Sequence, residues 1–231
     1  MKAVQIQDKR VGSTFLQNSI DSHPNILALD EVFISTYNSP DRKKSGIRPF
    51  KIMSEEKGWK IGEYIKWIYN MNDNVIFKLM YNQCDIYDMI DYMVSDKNFN
   101  IIHLMRKNFA KRAVSQIKEQ GVKIALEFKN SEIINIIEKS IDEQELFRKR
   151  LSLTYGKYLE LWYEDIIGIR KDNITFVDKD VNKHICDFFE VENIPLFSII
   201  SKRSNKVWKT ISSRKSLIKE FEKRGWDDYL K

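Results

Sequence analysis

The stretch Ala3-Val4-Gln5-Ile6-Gln7-Asp8-Lys9-Arg10-Val11-Gly12-Ser13-Thr14-Phe15-Leu16-Gln17-Asn18-Ser19-Ile20 decides how this chain is read. Ala3–Ile6 is a short β-type run, and Phe15–Ile20 has the apolar spacing of an amphipathic helix. Between them lies a tight basic loop with one glycine and, at the helix start, two hydroxyls. The first N–H groups of a helix lack internal partners, and the helix dipole adds partial positive charge there. Such a loop is suited to an anion: Gly12 allows close backbone approach, Ser13 and Thr14 add hydroxyl donors, and Arg10 adds a fixed cation. The same features also describe a plain strand-to-helix turn with a serine cap. The loop does not follow the Walker pattern, which needs a second glycine and a lysine.

Outward from this loop, strand and helix signals alternate. Strands are expected at Ala3–Ile6, Ile26–Leu29, Val75–Met80, Asn100–Met105 and Tyr158–Tyr163. Helices are expected over Thr14–Asp21, Trp59–Tyr69 and Asp85–Val94, around Ile133–Leu146, and over Ile185–Phe189. Residues 38–58 hold Pro40, Pro49, Gly46, Gly58 and the cluster Arg42-Lys43-Lys44, and read as a loop or acceptor lid. Residues 200–231 read as a C-terminal helical segment, with stripes at Val207/Trp208, Ile211, Leu217/Ile218 and Phe221. The pattern gives one α/β domain over 1–231, a three-layer α/β/α architecture with a central parallel sheet.

At 231 residues, with 42% hydrophobic and 12% aromatic side chains, the chain can bury a sizeable core. No apolar run is long enough to span a bilayer, and the first residues turn charged too soon for a secretory signal, so no stable membrane insertion and a cytoplasmic location are expected. Cys84 and Cys186 are far apart and are expected as buried, reduced thiols. His23, His103 and His184 are scattered, so no metal site is expected; His103, within Ile101–Met105, reads as a packed core or strand-end residue. A formal charge of +6 favours anionic ligands without choosing among them.

In a parallel sheet flanked by helices, ligands bind beyond the carboxyl ends of the strands. Three stretches fall there: Arg10–Thr14, Arg106-Lys107-Asn108, and Tyr163-Glu164-Asp165. Arg112 and Ser115 follow the second, and Ser115 lies roughly two and a half helical turns beyond Arg106. A loop arginine and a helix serine can therefore grip one phosphate. Two basic anion sites on one sheet edge suit a ligand with two separated phosphate-like groups.

These residues resemble a known family. Arg10-Val11-Gly12-Ser13-Thr14-Phe15-Leu16 is similar to the R-x-G-S-T-x-L loop with which bacterial and carbohydrate-type sulfotransferases bind the 5′-phosphosulfate of 3′-phosphoadenosine 5′-phosphosulfate. Ser22-His23-Pro24-Asn25-Ile26 with Asp30-Glu31-Val32-Phe33 resembles the S-H-P…G-E-x-F stretch that follows. Leu104–Asn108 with Ala113-Val114-Ser115 resembles the 3′-phosphate motif, Phe77–Met80 a lysine-bearing strand, and Trp162–Ile166 the Y-E-D-L strand end. The motifs run in family order over residues 1–166, and Gly225–Leu230 is similar to the family's terminus. The chain departs from the pattern in carrying Asp30 before the glutamate, where many relatives have glycine. Its serine stands nine residues after Arg106 and eight after Lys107.

The resemblance implies a P-loop nucleotide hydrolase-like sulfotransferase fold and transfer of a sulfuryl group to a hydroxyl of a carbohydrate, glycolipid or small metabolite. It places Arg10, Val11, Gly12, Ser13, Thr14 and Phe15 around the 5′-phosphosulfate. Arg106 or Lys107, with Ser115, falls at the 3′-phosphate, and Tyr163 and Lys202 are further donor-binding positions. Arg10, Glu31 and Lys78 are the implied catalytic residues. Glu31 or the adjacent Asp30 is the base, and Lys78 assists at the sulfuryl group or pairs with Glu31. The basic loop Ser201–Ser204 either closes over the donor or is an ordinary solvated loop. No metal and no nucleic acid are implied. Two rival readings are a P-loop-like small-molecule kinase and a non-enzymatic basic nucleic-acid-binding domain. The first lacks a Walker lysine. The second rests on the charge and on 5 Trp and 10 Tyr, which mostly fall on apolar helical faces.

Overall fold

A computed structural model describes residues 1–34, 47–119, 130–199 and 214–230. The elements that build the sheet are β1 (Lys2–Gln7), α1 (Ser13–Asp21), β2 (Leu27–Glu31), α2 (Phe50–Lys57), α3 (Ile61–Tyr69) and β3 (Val75–Met80). They continue with α4 (Tyr81–Ile86), α5 (Met89–Ser95), β4 (Asn100–Met105), α6 (Phe109–Glu119), α7 (Asn130–Leu151) and β5 (Tyr158–Trp162). After the single turn α8 (Tyr163–Ile166) come β6 (Ile167–Lys171), β7 (Ile174–Val177), α9 (Lys179–Phe189), β8 (Phe197–Ser198) and α10 (Arg214–Lys223). A 3-10 turn spans Asp227–Leu230.

Five parallel strands run in the order β2-β3-β1-β4-β5. The inner strands are buried on both faces because helices cover both, and most of their side chains are aliphatic. On one face Val4, Ile6, Phe77, Leu79 and Ile101 pack with Tyr64, Ile68, Met93 and Phe147 of α3, α5 and α7. On the other, Ala3, Ile76, Ile102 and Leu161 pack with Phe15, Leu16 and Ile20 of α1 and Ile185 and Phe189 of α9. This is the three-layer α/β/α arrangement expected from the alternation. A third cluster, with Val114, Ile117, Ile133, Ile137, Leu217 and Phe221, joins α6, α7 and α10.

The connection from β1 leads through α1 to the β2 edge, and that from β4 leads through α6 and α7 to the β5 edge. The connections from β1 and β4, which stay parallel, lead to opposite edges of the sheet, and such a switch point opens a crevice at the carboxyl ends of the two strands. Residues 8–14 and Arg106 flank that crevice.

Several expectations are corrected. Residues 38–58 are not wholly loop: Phe50–Lys57 is helical, with Phe50 and Met53 in the core, while 35–46 lie outside the described residues. The helix expected at Asp85–Val94 is two helices, because Asp88 adopts a left-handed conformation (φ 49°) between them. The strand expected to include Tyr163 stops at Trp162, where the chain turns into α8. A small antiparallel sheet, β6-β7-β8, was not expected; its strands are short and half-exposed, so their apolar pattern is weak.

Candidate functional site

β1 delivers the 8–14 loop to the crevice. Asp8, directly after the strand, forms an ion pair with Arg112 of α6, whose side chain is 2% exposed. This pair ties the loop's first residue to the helix that carries Ser115. Arg10 sits at φ 61° and Gly12 at φ 86°, two left-handed residues that wrap the loop before α1 begins at Ser13. For Gly12 there is a second constraint. A Cβ there would lie 2.1 Å from Cδ2 and Cε2 of the Tyr163 ring, which covers the glycine backbone.

The expected donor-binding residues divide by what they present. Val11 and Phe15 are buried in the core with α1, so only their main chain faces the loop. Ser13 is half-buried and Thr14 exposed, and neither hydroxyl is hydrogen-bonded among the described residues. The amides opening α1 have no acceptor within the helix, which leaves this end set up for an anion.

β4 delivers Arg106 to the same crevice. Its Nη1 donates to the Arg10 carbonyl oxygen (2.7 Å), and its guanidinium lies 5.1 Å from the Tyr163 ring centroid. Arg10 Nε in turn donates to Ser115 Oγ (2.9 Å). Arg10, Arg106, Ser115, Gly12 and Tyr163 therefore form one contiguous group. Among the described residues the cation that bonds Ser115 is Arg10, which the spacing did not suggest, and Arg106 joins the group through the Arg10 carbonyl. Lys107 turns away, with its Nζ 2.7 Å from the Asp165 carboxylate and 5.8 Å from the Trp162 ring centroid. Burial pushes the Arg106 guanidinium below its usual range, opposed by the neighbouring Glu164 charge, and it remains a cation at neutral pH. Burial raises the Tyr163 phenol.

On the other side of β1, Lys78 of β3 is 3% exposed and pairs with Asp30. The pairing of Lys78 with Glu31 is not what forms. Glu31 is the backbone partner of Lys78 across the β2–β3 ladder, but the register shifts between Leu29 and Glu31, and Asp30 supplies the contact. Glu31 is half-buried at the strand end. Lys202 lies outside the described residues, as do the rest of 200–213.

His103 is buried between two phenols, with Nε2 2.6 Å from Tyr81 Oη and Nδ1 3.0 Å from Tyr158 Oη. Burial lowers its pKa to about 3, so it is a neutral structural residue as expected. His23 is a turn residue: its ring Nε2 lies 3.0 Å from the Glu192 carbonyl and Nδ1 accepts from Asn25 N. Cys84 and Cys186 are buried and free. Among the described residues no cluster of His, Cys, Asp or Glu could hold a metal ion, and no helix is long and apolar enough to cross a membrane.

Reading the sequence missed the Asp8–Arg112 pair and the role of Glu164. The Glu164 carboxylate accepts from Lys107 N (2.9 Å) and Asn108 N (3.2 Å), and lies 3.5 Å from Arg106 Nε. No spacing rule links residues so far apart. The available signal was the run of amides at 107–108 before a helix, which needs an acceptor. A cavity of about 560 Å³ adjoins this loop, lined by Lys107, Phe109, Ile141, Trp162, Glu164 and Tyr229 among others.

No family model and no curated protein matches the sequence. Among solved structures, the chain is similar to a sulfotransferase from Alicyclobacillus acidocaldarius at 10% identity and a TM-score of 0.48, covering 100% of this chain and 98% of that one. It is also similar to the sulfotransferase domain from the curacin biosynthetic pathway, at 13% identity and a TM-score of 0.47, covering 95% and 96% respectively.

Proposed function

We propose that this chain is a sulfotransferase. In this reading it binds 3′-phosphoadenosine 5′-phosphosulfate in the β1–β4 crevice and directs the sulfuryl group to a hydroxyl of a carbohydrate, glycolipid or small metabolite in the cytoplasm. The observation that carries the reading is the convergence of Arg10, Arg106 and Ser115 beside an open helix N-terminus. That crevice offers two anion-binding groups from different strands, as a nucleotide with phosphates on both 3′ and 5′ positions requires. The residues fit such a ligand in one further respect: the loop backbone at Gly12 lies directly under an aromatic ring, where any side chain would intrude.

The donor supplies an activated sulfuryl group; binding and charge control fall to the chain. Ser13, Thr14 and the first amides of α1 hold the 5′-phosphate. Arg10 sits where negative charge builds on the bridging oxygen as the sulfur–oxygen bond to the nucleotide breaks. Arg106 and Ser115 hold the 3′-phosphate. The new bond forms between sulfur and the acceptor oxygen, and the acceptor's proton passes to a carboxylate at the end of β2. Asp30 is committed to Lys78, which leaves Glu31 as the proton acceptor. Lys78 is the buried cation that holds Asp30 beside that proton acceptor.

The kinase reading is disfavoured because Ser13 directly follows the single loop glycine and no Walker lysine is present. The nucleic-acid reading is disfavoured because aromatics such as Phe33, Phe50 and Tyr64 pack against one another in the core, tilted or edge-on with centroids 5.2–5.5 Å apart. Calorimetric titration with adenosine 3′,5′-bisphosphate tests the proposal, with Arg10→Ala and Arg106→Ala as controls. Saturable binding without magnesium, weakened in both variants, is the expected result. Absence of binding to the folded wild-type chain overturns it.

A further inference from the structure

Three consecutive residues at the end of β5 each engage the neighbouring loops. Tyr163 covers Gly12 and stacks on Arg106, Asp165 draws Lys107 away from the crevice, and between them Glu164 meets the β4–α6 turn. Two backbone amides donate to the Glu164 carboxylate, Lys107 N at 2.9 Å and Asn108 N at 3.2 Å, and Arg106 Nε lies 3.5 Å from it as an ion pair. Asn108 also caps α6, its Oδ1 accepting from Lys111 N (2.8 Å). The anion therefore sits at the mouth of α6, where the helix dipole favours negative charge. Its other neighbour is a guanidinium only 12% exposed, a buried cation that a countercharge stabilises and orients.

We infer that Glu164 is the positioning residue of the 3′-phosphate site. It fixes the Arg106 guanidinium and the amides before α6 in the geometry that accepts a phosphate on the nucleotide 3′ position, and so sets the preference for a 3′-phosphorylated nucleotide. The inference rests on the sulfotransferase reading of the crevice. Its content is specific to one half of the ligand. Among the described residues the Glu164 carboxylate bonds only the Arg106–Asn108 turn and not Ser13, Thr14 or the amides of α1. The inference also has a sign. A carboxylate beside a phosphate-binding arginine could simply compete with the phosphate, and removing its charge would then tighten binding. The bidentate hold on two backbone amides argues against competition, because those bonds shape the turn whether or not a ligand is bound.

The test compares adenosine 3′,5′-bisphosphate with adenosine 5′-phosphate by calorimetry on the full chain, in wild type and Glu164→Gln. The amide keeps the side-chain size but removes the charge and turns an N–H₂ group toward N–H donors. The expected result is a loss of about tenfold or more in bisphosphate affinity, the scale of a lost hydrogen bond to a charged group, with adenosine 5′-phosphate affinity within about twofold of wild type. In an Arg106→Ala background, Glu164→Gln should then change bisphosphate affinity by less than about twofold, since the residue acts through Arg106. Glu164→Asp, which keeps the charge with a shorter reach, should fall between wild type and Glu164→Gln, and covers the case in which the glutamine variant does not fold. Tighter or unchanged bisphosphate binding in Glu164→Gln, or equal losses for both nucleotides, overturns the inference. A wild-type chain that binds neither nucleotide, or both equally, instead overturns the reading on which it rests.

Discussion

Replacing Gly12 with alanine should cost stability in two separable parts. At φ 86° an L-residue is in the left-handed region, a penalty of roughly 1 kcal/mol. The new methyl would also sit 2.1 Å from two carbons of the Tyr163 ring, so the ring must move. Forcing an added methyl into packed surroundings costs about 1–3 kcal/mol. The displaced ring also loses its stacking on Arg106, now 5.1 Å from the centroid, worth about 0.5–2 kcal/mol. The total is about 2.5–6 kcal/mol, a large share of the roughly 5–15 kcal/mol of a folded domain. Urea unfolding of the single and double variants measures it. In a Tyr163→Ala background the ring is gone, and Gly12→Ala should cost only its backbone part, about 1 kcal/mol. An equal cost in both backgrounds would refute the argument that Tyr163 imposes the glycine, as would a cost under about 1 kcal/mol in wild type.

Further outcomes follow from the same structure. Asp8→Asn leaves the Arg112 guanidinium, 2% exposed, without its countercharge, and should cost about 3–5 kcal/mol by chemical denaturation. A cost below about 1 kcal/mol would mean that the pair does not anchor the loop. Lys78 is 3% exposed and Asp30 is 40% exposed, so the pair should respond asymmetrically. Asp30→Asn, which strands a buried ammonium, should destabilise by several kcal/mol, whereas Lys78→Met, which leaves a carboxylate able to hydrate, should cost about 1 kcal/mol or less; equal costs would contradict this. His103 has a folded pKa lowered to about 3, against about 6.5 when unfolded. Between those values the unfolded state holds the extra proton, so stability should fall as pH drops below about 6.5, by up to roughly 1.4 kcal/mol per unit. In His103→Gln that contribution should disappear; an unchanged acid limb in thermal unfolding would rule it out.

The sheet was legible because β1, β3 and β4 are short runs rich in aliphatic residues and α1 opens with two hydroxyls after a glycine. Local patterns of this kind lie within a few residues of each other. The order of strands in space was not stated by any such pattern, and neither was the meeting of Arg10 with Ser115, 105 positions apart. Spacing also does not say where Arg106 and Lys107 point: the turn after β5 decides it, where Asp165 holds the lysine and Tyr163 holds the arginine. The pairing of Lys78 with Asp30 depended on the register shift at the end of β2, which periodicity does not encode. Helix α2 was hidden by Pro49 and Gly58, read as loop markers although they stand just before and just after it.

The most direct test of the central claim is native mass spectrometry of the full chain in an equimolar mixture of adenosine 3′,5′-bisphosphate, adenosine 5′-phosphate, ADP and ATP, with and without magnesium. The account expects a single bisphosphate adduct, independent of magnesium and weakened in Arg106→Ala. A dominant, magnesium-dependent ATP or ADP adduct would contradict it and point to the kinase reading.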